Sequence, residues 1–315
     1  MAEPLVRPGD LFVDFFCGLG GASEGARAAG LRVALGVDHD PELLALHARN
    51  HPGAHHQCRA LPAKRLRLAP HAPAFWLHGS PPCTALSRAN QLRVADDRAA
   101  GLELVRWFLT FAMDSAAAAW SMEYVDCMAV KQLLGELGAR GSPYRGRFGY
   151  LVLDLCHLGV PQNRRRILVG SPAALRALRR VQKRHRSVQD VIADPEGSHL
   201  RNKVINAVWR NSRGLSSRRL SPDDRCRPLS VPSYTVTAGS NLVWARPHTG
   251  TKLRSISVRH AQLLQTFPPT YDAGRCVRRA RLGIGNAVPP LAMETWIRAA
   301  MGGAEIGNKA LRAPG

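Results

Sequence analysis

Three short stretches hold side chains that could do chemistry together. In "GSPPCTALSRAN" (79–90) a lone cysteine, Cys83, follows Pro81 and Pro82 directly after the apolar run "APAFWLH". Two prolines stiffen a turn at the end of a buried strand, and strand ends are where open α/β sheets bind ligands. In "MEYVD" Glu123 ends another apolar run, and in "VPQNRRR" (160–166) an amide and three guanidinium groups stand between two more. An ionised thiol is a nucleophile, a carboxyl can hold or give a proton, and guanidinium groups bind carbonyl oxygens or phosphates. Taken singly, each stretch has a plainer explanation: a buried cysteine, an arginine-paired glutamate, a solvated basic turn.

A fourth stretch, "DFFCGLGG", delivers a strand into a loop with glycines at 18, 20 and 21, before an Ala-rich helix that ends at Gly30. Such a loop lets the backbone approach a ligand closely, and Asp38, one strand later, stands where an acidic residue can hold ribose hydroxyls. The dinucleotide pattern GxGxxG is not matched. Helix capping is an alternative duty for Asp38 and the expected one for Asp40, which precedes Pro41 in "DPELLALHARN".

The elements that must position these residues follow from periodicity. Apolar runs predict strands at 10–16, 31–37, 74–79, 120–125, 149–155 and 165–170, with helices after Gly21, at 40–50, near 102–118 and at 127–137. Strands alternating with helices imply an α/β fold built on a doubly wound, mostly parallel, Rossmann-like sheet. From about residue 172 to 228 the chain is basic and rich in Ser, Pro and Arg, with no strand pattern, which reads as a small region inserted for recognition. Helical patterns return at 255–267 and at 287–301, the second entered through Pro289 and Pro290.

Composition narrows the partners. The 315 residues carry 44 Lys and Arg against 23 Asp and Glu, a formal net charge of +21, and 45% of them are hydrophobic. That excess points to a polyanion such as nucleic acid, although coding bias toward Arg is a competing source. Clustering of the charge at 176–187 and 209–227 favours the polyanion. No apolar run is long enough for a bilayer span and no signal-peptide core follows Met1, so an intracellular, non-membrane protein is expected. Seven scattered cysteines without a CxxC pair suggest neither a disulfide framework nor a metal site.

In motif order and spacing the chain resembles the cytosine-C5 DNA methyltransferases, over residues 11–170 and 229–295. The FxGxGG motif is Phe16, Gly18, Gly20 and Gly21; PPC is Pro81, Pro82 and Cys83; the Glu-Asn-Val motif stands as Glu123, Tyr124 and Val125; QxRxR is Gln162, Arg164 and Arg166; GNAVPP runs from Gly285 to Pro290.

The resemblance implies a methyltransferase sheet with a small basic target-recognition region, and a division into a catalytic and cofactor-binding domain (1–171), the recognition region (172–250), a C-terminal return (251–305) and a flexible tail (306–315). It implies S-adenosylmethionine as cofactor, held by Phe16, Gly18, Leu19, Gly20, Gly21, Asp38, Pro81, Asn286 and Ala287, with double-stranded DNA as partner, a monomer, and no metal. Cys83 is then the nucleophile on cytosine C6. Glu123 is kept protonated or shares a proton with N3, Arg166 holds O2, and Arg164 contacts a phosphate or the active-site loop.

Other readings within this frame are a weakly active DNA-binding homologue and a tRNA cytosine methyltransferase. Three departures bear on them. Tyr124 replaces the family's Asn, "QCRAL" (57–61) lacks the usual Asp at the adenine, and the short recognition region implies a short or relaxed target site.

Overall fold

The computed structural model describes residues 4–62, 74–82, 95–202, 208–210, 217–219, 226–239, 242–246 and 252–302. Its centre is a seven-stranded sheet. Strands β1 (Leu11–Phe15), β2 (Arg32–Asp38), β3 (His55–Cys58), β4 (Phe75–Gly79), β5 (Ala119–Val125), β6 (Gly149–Asp154) and β7 (Arg165–Gly170) lie in the order β3-β2-β1-β4-β5-β7-β6. All neighbours are parallel except β7, which runs antiparallel to both β5 and β6. The expected doubly wound, mostly parallel sheet is therefore present, and its strand order reverses between β1 and β4, where such sheets form a ligand crevice.

Helices cover both faces. Helices α1 (Gly21–Ala29) and α5 (Pro172–Arg179) both pack against α8 (Pro290–Ala300) over one face, joining Ala22, Ala26, Leu175, Met293 and Trp296 in a common core with Phe12 and Trp76. The α1–α8 approach needs Gly25, because a Cβ there would lie 2.3 Å from the Pro290 carbonyl oxygen. On the other face α3 (Ala95–Asp114) and α4 (Met128–Leu137) supply Val105, Phe108, Val130 and Leu133 against Phe15, Leu77 and Met122. Helix α2 (Pro41–Asn50) starts as its sequence predicts, with the Asp40 carboxylate accepting from the Glu42 and Leu43 N–H groups.

The chain beyond β7 departs from expectation. Residues 172–179 form α5, whose Ala174 carbonyl accepts from Trp296 Nε1 at 3.1 Å, so this first part of the basic stretch belongs with the central sheet. Strands that the sequence did not announce follow: β8 (His199–Asn202), β9 (Val208–Arg210), β10 (Ser217–Arg219) and β11 (Cys226–Pro228). Elements of three or four residues are too short to show alternation.

β8 and β11 form an antiparallel sheet with β12 (Leu242–Ala245) and β13 (Lys252–Ser255) in the order β11-β8-β12-β13, and β9 and β10 pair as a separate two-stranded ribbon. The expected helix at 255–267 is shorter, α6 (Val258–Leu264), capped by Ser257 Oγ on the His260 N–H; α7 (Val277–Asn286), rich in Arg and Gly, was not anticipated. Leu200, Leu242, Trp244, Ile256, Leu264 and Ile284 form the core between this sheet and helices α6 and α7. Among the described residues no helix is long and apolar enough to cross a membrane.

Candidate active site

Because β7 is antiparallel, its first residues fall beside the last residues of β5, with Val125 opposite Arg166 and Glu123 opposite Leu168. Alternation along β5 sends Tyr124 into the core under α3 and α4, whereas Glu123 faces the α8 side, where it lines a small pocket with His78, Leu155, Val288 and Trp296. Arg166 Nε lies 2.7 Å from Glu123 Oε1, and Arg164 Nε lies 3.8 Å from the same oxygen. Glu123 thus stands in an ion pair with Arg166, with Arg164 close by, and not alone against apolar walls. Among the described residues Oε1 accepts no hydrogen bond of good geometry.

Arg164 departs from the expected phosphate contact, while the other expected partner, the active-site loop, lies outside the described residues. It is 2% exposed, and its Nη atoms donate to the Val236, Gly285 and Ala287 carbonyls at 3.0–3.2 Å. With its Nε facing Glu123, a guanidinium so enclosed offers nothing to a phosphate; it ties the start of β7 to the 285–287 segment. Gln162 works alongside it. Its amide N donates to Leu264 O and Gln265 Oε1, and its amide O accepts from Val236 N. Gln265 Nε2 in turn donates to Ala287 O at 2.6 Å, a connection that no local sequence signal marks.

The Pro-Pro turn leaves β4 next to the end of β1, with Ser80 N donating to Phe15 O at 3.3 Å; Pro81 is buried and Pro82 exposed. Cys83 lies outside the described residues, as do Ser87, Arg88 and Asn90 of the loop beyond it. The departure at Tyr124 has a structural consequence. Its hydroxyl donates to the Pro82 carbonyl at 3.2 Å, so the phenol reaches across from β5 and holds the peptide group that joins Pro82 to residue 83.

At the crevice, the Gly-rich loop bends through Phe16 (φ 58°), Gly18 (φ 51°) and Gly20 (φ 95°), all left-handed. Asp38, at the end of β2, accepts from Gly18 N at 2.8 Å and Asp40 N at 2.9 Å, so its carboxylate pins the loop as well as facing the crevice. A Cβ at Gly18 would meet no atom within 4 Å, leaving room for a ligand over the backbone, whereas one at Gly20 would strike the Tyr271 hydroxyl at 2.5 Å.

Leu19 has its side chain in the core and its carbonyl on the Tyr271 hydroxyl at 2.7 Å, so its carbonyl and side chain are already spoken for. Val288 and Ala287 pack directly on Gly21, bringing the 285–290 motif to the loop; Asn286 is exposed there. Arg59, where the family's acidic residue was sought, follows β3 with its N–H on Asp38 O at 2.8 Å. The open backbone at Gly18 beside an anchored carboxylate fits a nucleoside-bearing group.

Under this loop lies a buried polar chain. Ser23 Oγ donates to Asp14 Oδ2 at 2.7 Å, His47 Nε2 is 3.0 Å from Ser23 Oγ, and His47 Nδ1 is 2.9 Å from His56 Nε2. Burial pushes the Asp14 carboxyl up to about 7, against the pull of Ser23, and drives His47 well below the usual histidine range. Both therefore favour their neutral forms.

Comparison with known proteins agrees with this geometry. The model of the C-5 cytosine-specific DNA methylase family matches residues 11–301. The chain is similar to the type II methyltransferase M.HgiDI of Herpetosiphon aurantiacus, with 28% identity over 88% of this chain and 89% of that one. It is also similar to M.AgeI of Thalassovita gelatinovora, with 32% identity over 50% of this chain, a match that spans only 38% of M.AgeI.

Among solved structures, a protein described as a DNA modification methyltransferase of an E. coli prophage superposes with a TM-score of 0.62 at 16% identity, covering 92% of this chain and 98% of that one. A Spodoptera frugiperda DNMT2 variant does so with 0.58 at 13% identity, covering 93% and 99%. At such identities these two establish the shared fold.

Proposed function

The chain belongs to the C-5 cytosine-specific DNA methylase family, and from that premise we propose that it methylates cytosine C5 in duplex DNA, with Cys83 as nucleophile. The observation that carries this reading is Glu123, ion-paired near the end of β5, one residue from a tyrosine that holds the peptide preceding Cys83. Cytosine C5 is a poor nucleophile until C6 is attacked. Addition of the Cys83 thiolate forms an S–C6 bond and moves ring electrons toward N3 and O2, leaving C5 with enamine character.

Glu123 presents Oε1 to N3 and shares a proton with it as charge develops there, while the remaining Arg166 N–H groups hold O2. Arg164 is a positioning residue in this scheme: it fixes β7 and the 285–287 segment around Glu123. S-adenosylmethionine, when bound, supplies an electrophilic methyl on a sulfonium; Phe16, Gly18, Gly20, Gly21, Asp38, Pro81, Asn286 and Ala287 would hold it, with Leu19 contributing backbone only. After methylation the C5 proton leaves, the S–C6 bond breaks, and the thiolate is regenerated.

A base inside a duplex is out of reach of such a pocket, so the target must be flipped out, at a cost of a few kcal/mol that phosphate contacts offset. The +21 charge and the small antiparallel sheet after α5 supply those contacts in this reading, and the small size of that region suits a short or relaxed site. Base-resolution sequencing of methylated duplex DNA tests the last point, and a strict site of six or more base pairs contradicts it. In a parallel acceptor assay, methylation of tRNA but not of duplex DNA overturns the DNA assignment.

A further inference from the structure

Away from the site described above, Cys156, His157 and His185 bring three metal-ligating atoms within 4.8 Å of one another. Cys156 and His157 lie in the 3-10 turn Leu155–Leu158 that follows β6, and His185 lies in the segment that leaves α5. Cys156 Sγ is 3.9 Å from His185 Nε2, which is 2.9 Å from His157 Nδ1. Tetrahedral zinc with bonds of about 2.3 Å to sulfur and about 2.0–2.1 Å to nitrogen sets S to N near 3.6 Å and N to N near 3.3 Å. Small torsions of two exposed imidazoles would bring all three atoms onto one ion.

The surroundings suit a thiolate ligand. Asn163 Nδ2 donates to Cys156 Sγ at 3.6 Å and to Asp154 Oδ2 at 3.1 Å, the kind of outer partner that orients a metal ligand. Lys183 N donates to His157 O at 3.1 Å, so the two segments are already tied by backbone. Cys156 is buried and both histidines are exposed, which places the sulfur beneath an ion arriving from solvent.

We propose that Cys156, His157 and His185 form a zinc site, with the fourth position left to water. Binding exchanges the Cys156 thiol proton, released to solvent, for an S–Zn bond, and exchanges the His157–His185 hydrogen bond for two N–Zn bonds; nothing is oxidised or reduced. The site stands at a joint. Asn163 also accepts from Arg227, and its carbonyl accepts from Thr235 Oγ1 at 2.6 Å, both beyond α5 in the chain. An ion here fastens the β6–β7 connection, which carries Arg164 and leads into Arg166 on β7, to the segment leading into the second sheet, and its role is to stiffen that joint.

The test is a titration of Co²⁺, then Zn²⁺, into the chelator-treated full chain, read by absorption. The expected result is one equivalent of tetrahedral cobalt with a thiolate charge-transfer band, displaced by Zn²⁺. Cys156→Ser abolishes the charge-transfer band, and the exposed pair His157→Gln/His185→Gln weakens Zn²⁺ binding about tenfold or more. Zinc raises the melting temperature of the wild type and not of the double variant. Absence of the cobalt bands in the wild type overturns the proposal and leaves the two histidines as a hydrogen-bonded pair. Undiminished binding by the double variant overturns it by placing the metal elsewhere. Neither readout depends on methyl transfer.

Discussion

Removing the Tyr124 hydroxyl tests the contact to Pro82, the last described residue before Cys83. Tyr124 is 1% exposed and packs in the core under α3 and α4, so Tyr124→Phe keeps the ring and deletes the hydroxyl with its bond to Pro82 O, 3.2 Å long. A neutral hydrogen bond contributes about 0.5–1.5 kcal/mol net, and about 1 kcal/mol corresponds to about fivefold in a rate. Because the freed carbonyl belongs to the peptide joined to Cys83, the loss falls on alignment of the nucleophile and not on DNA binding.

The expected outcome of Tyr124→Phe is a kcat lowered about fivefold, an equally slowed covalent trapping on 5-fluorocytosine DNA, and an unchanged Kd for DNA. Tyr124→Asn, which restores the family's residue type, instead empties a buried ring site and costs several kcal/mol of stability, visible in urea denaturation. A Tyr124→Phe protein that traps 5-fluorocytosine DNA at the wild-type rate would refute the reasoning.

In the proposed mechanism Glu123→Gln removes proton handling at N3 together with the carboxylate's ion pair, so the expected result is a kcat lowered by about 10²- to 10⁴-fold with DNA still bound by fluorescence anisotropy. Arg164→Met strands three buried carbonyls and one side of the Glu123 ion pair, at a cost of about 3–5 kcal/mol in urea denaturation. Burial pushes Asp14 up to about 7, so between pH 4 and 7 the folded protein holds a proton that the unfolded chain has released. The stability from this group is therefore complete below pH 4, falls by about 1.4 kcal/mol per pH unit, and is gone above pH 7. Asp14→Asn removes that slope and gains on the wild type most above pH 7, by up to about 4 kcal/mol; parallel stability curves for the two proteins from pH 5 to 8 would count against it.

How much of this was legible in the sequence depended on the length and locality of the signal. Strand runs of five to seven apolar residues and the Asp40-Pro41 start of α2 were readable because their determinants lie within one element. Glu123, Arg164 and Arg166 were readable as a group, because the antiparallel β7 delivers both arginines to the end of β5. The tie that Arg164 makes was not: its carbonyl partners lie 72 to 123 residues away, beyond any local signal, whereas the sequence pointed to a phosphate or the active-site loop. Strands β8 to β11 were hidden by their brevity, and β3, a polar four-residue edge strand, for the same reason. The Tyr124 departure read as a defect, because a bulkier side chain was judged without knowing that Pro82 lies within reach of its hydroxyl.

The most direct measurement is transfer of tritiated methyl from S-adenosylmethionine to unmethylated duplex DNA by wild type and Cys83→Ser, with 5-fluorocytosine DNA used to trap the adduct. The account predicts transfer and a denaturation-resistant adduct for the wild type and neither for Cys83→Ser. Methyl transfer by Cys83→Ser at a rate near that of the wild type would contradict it.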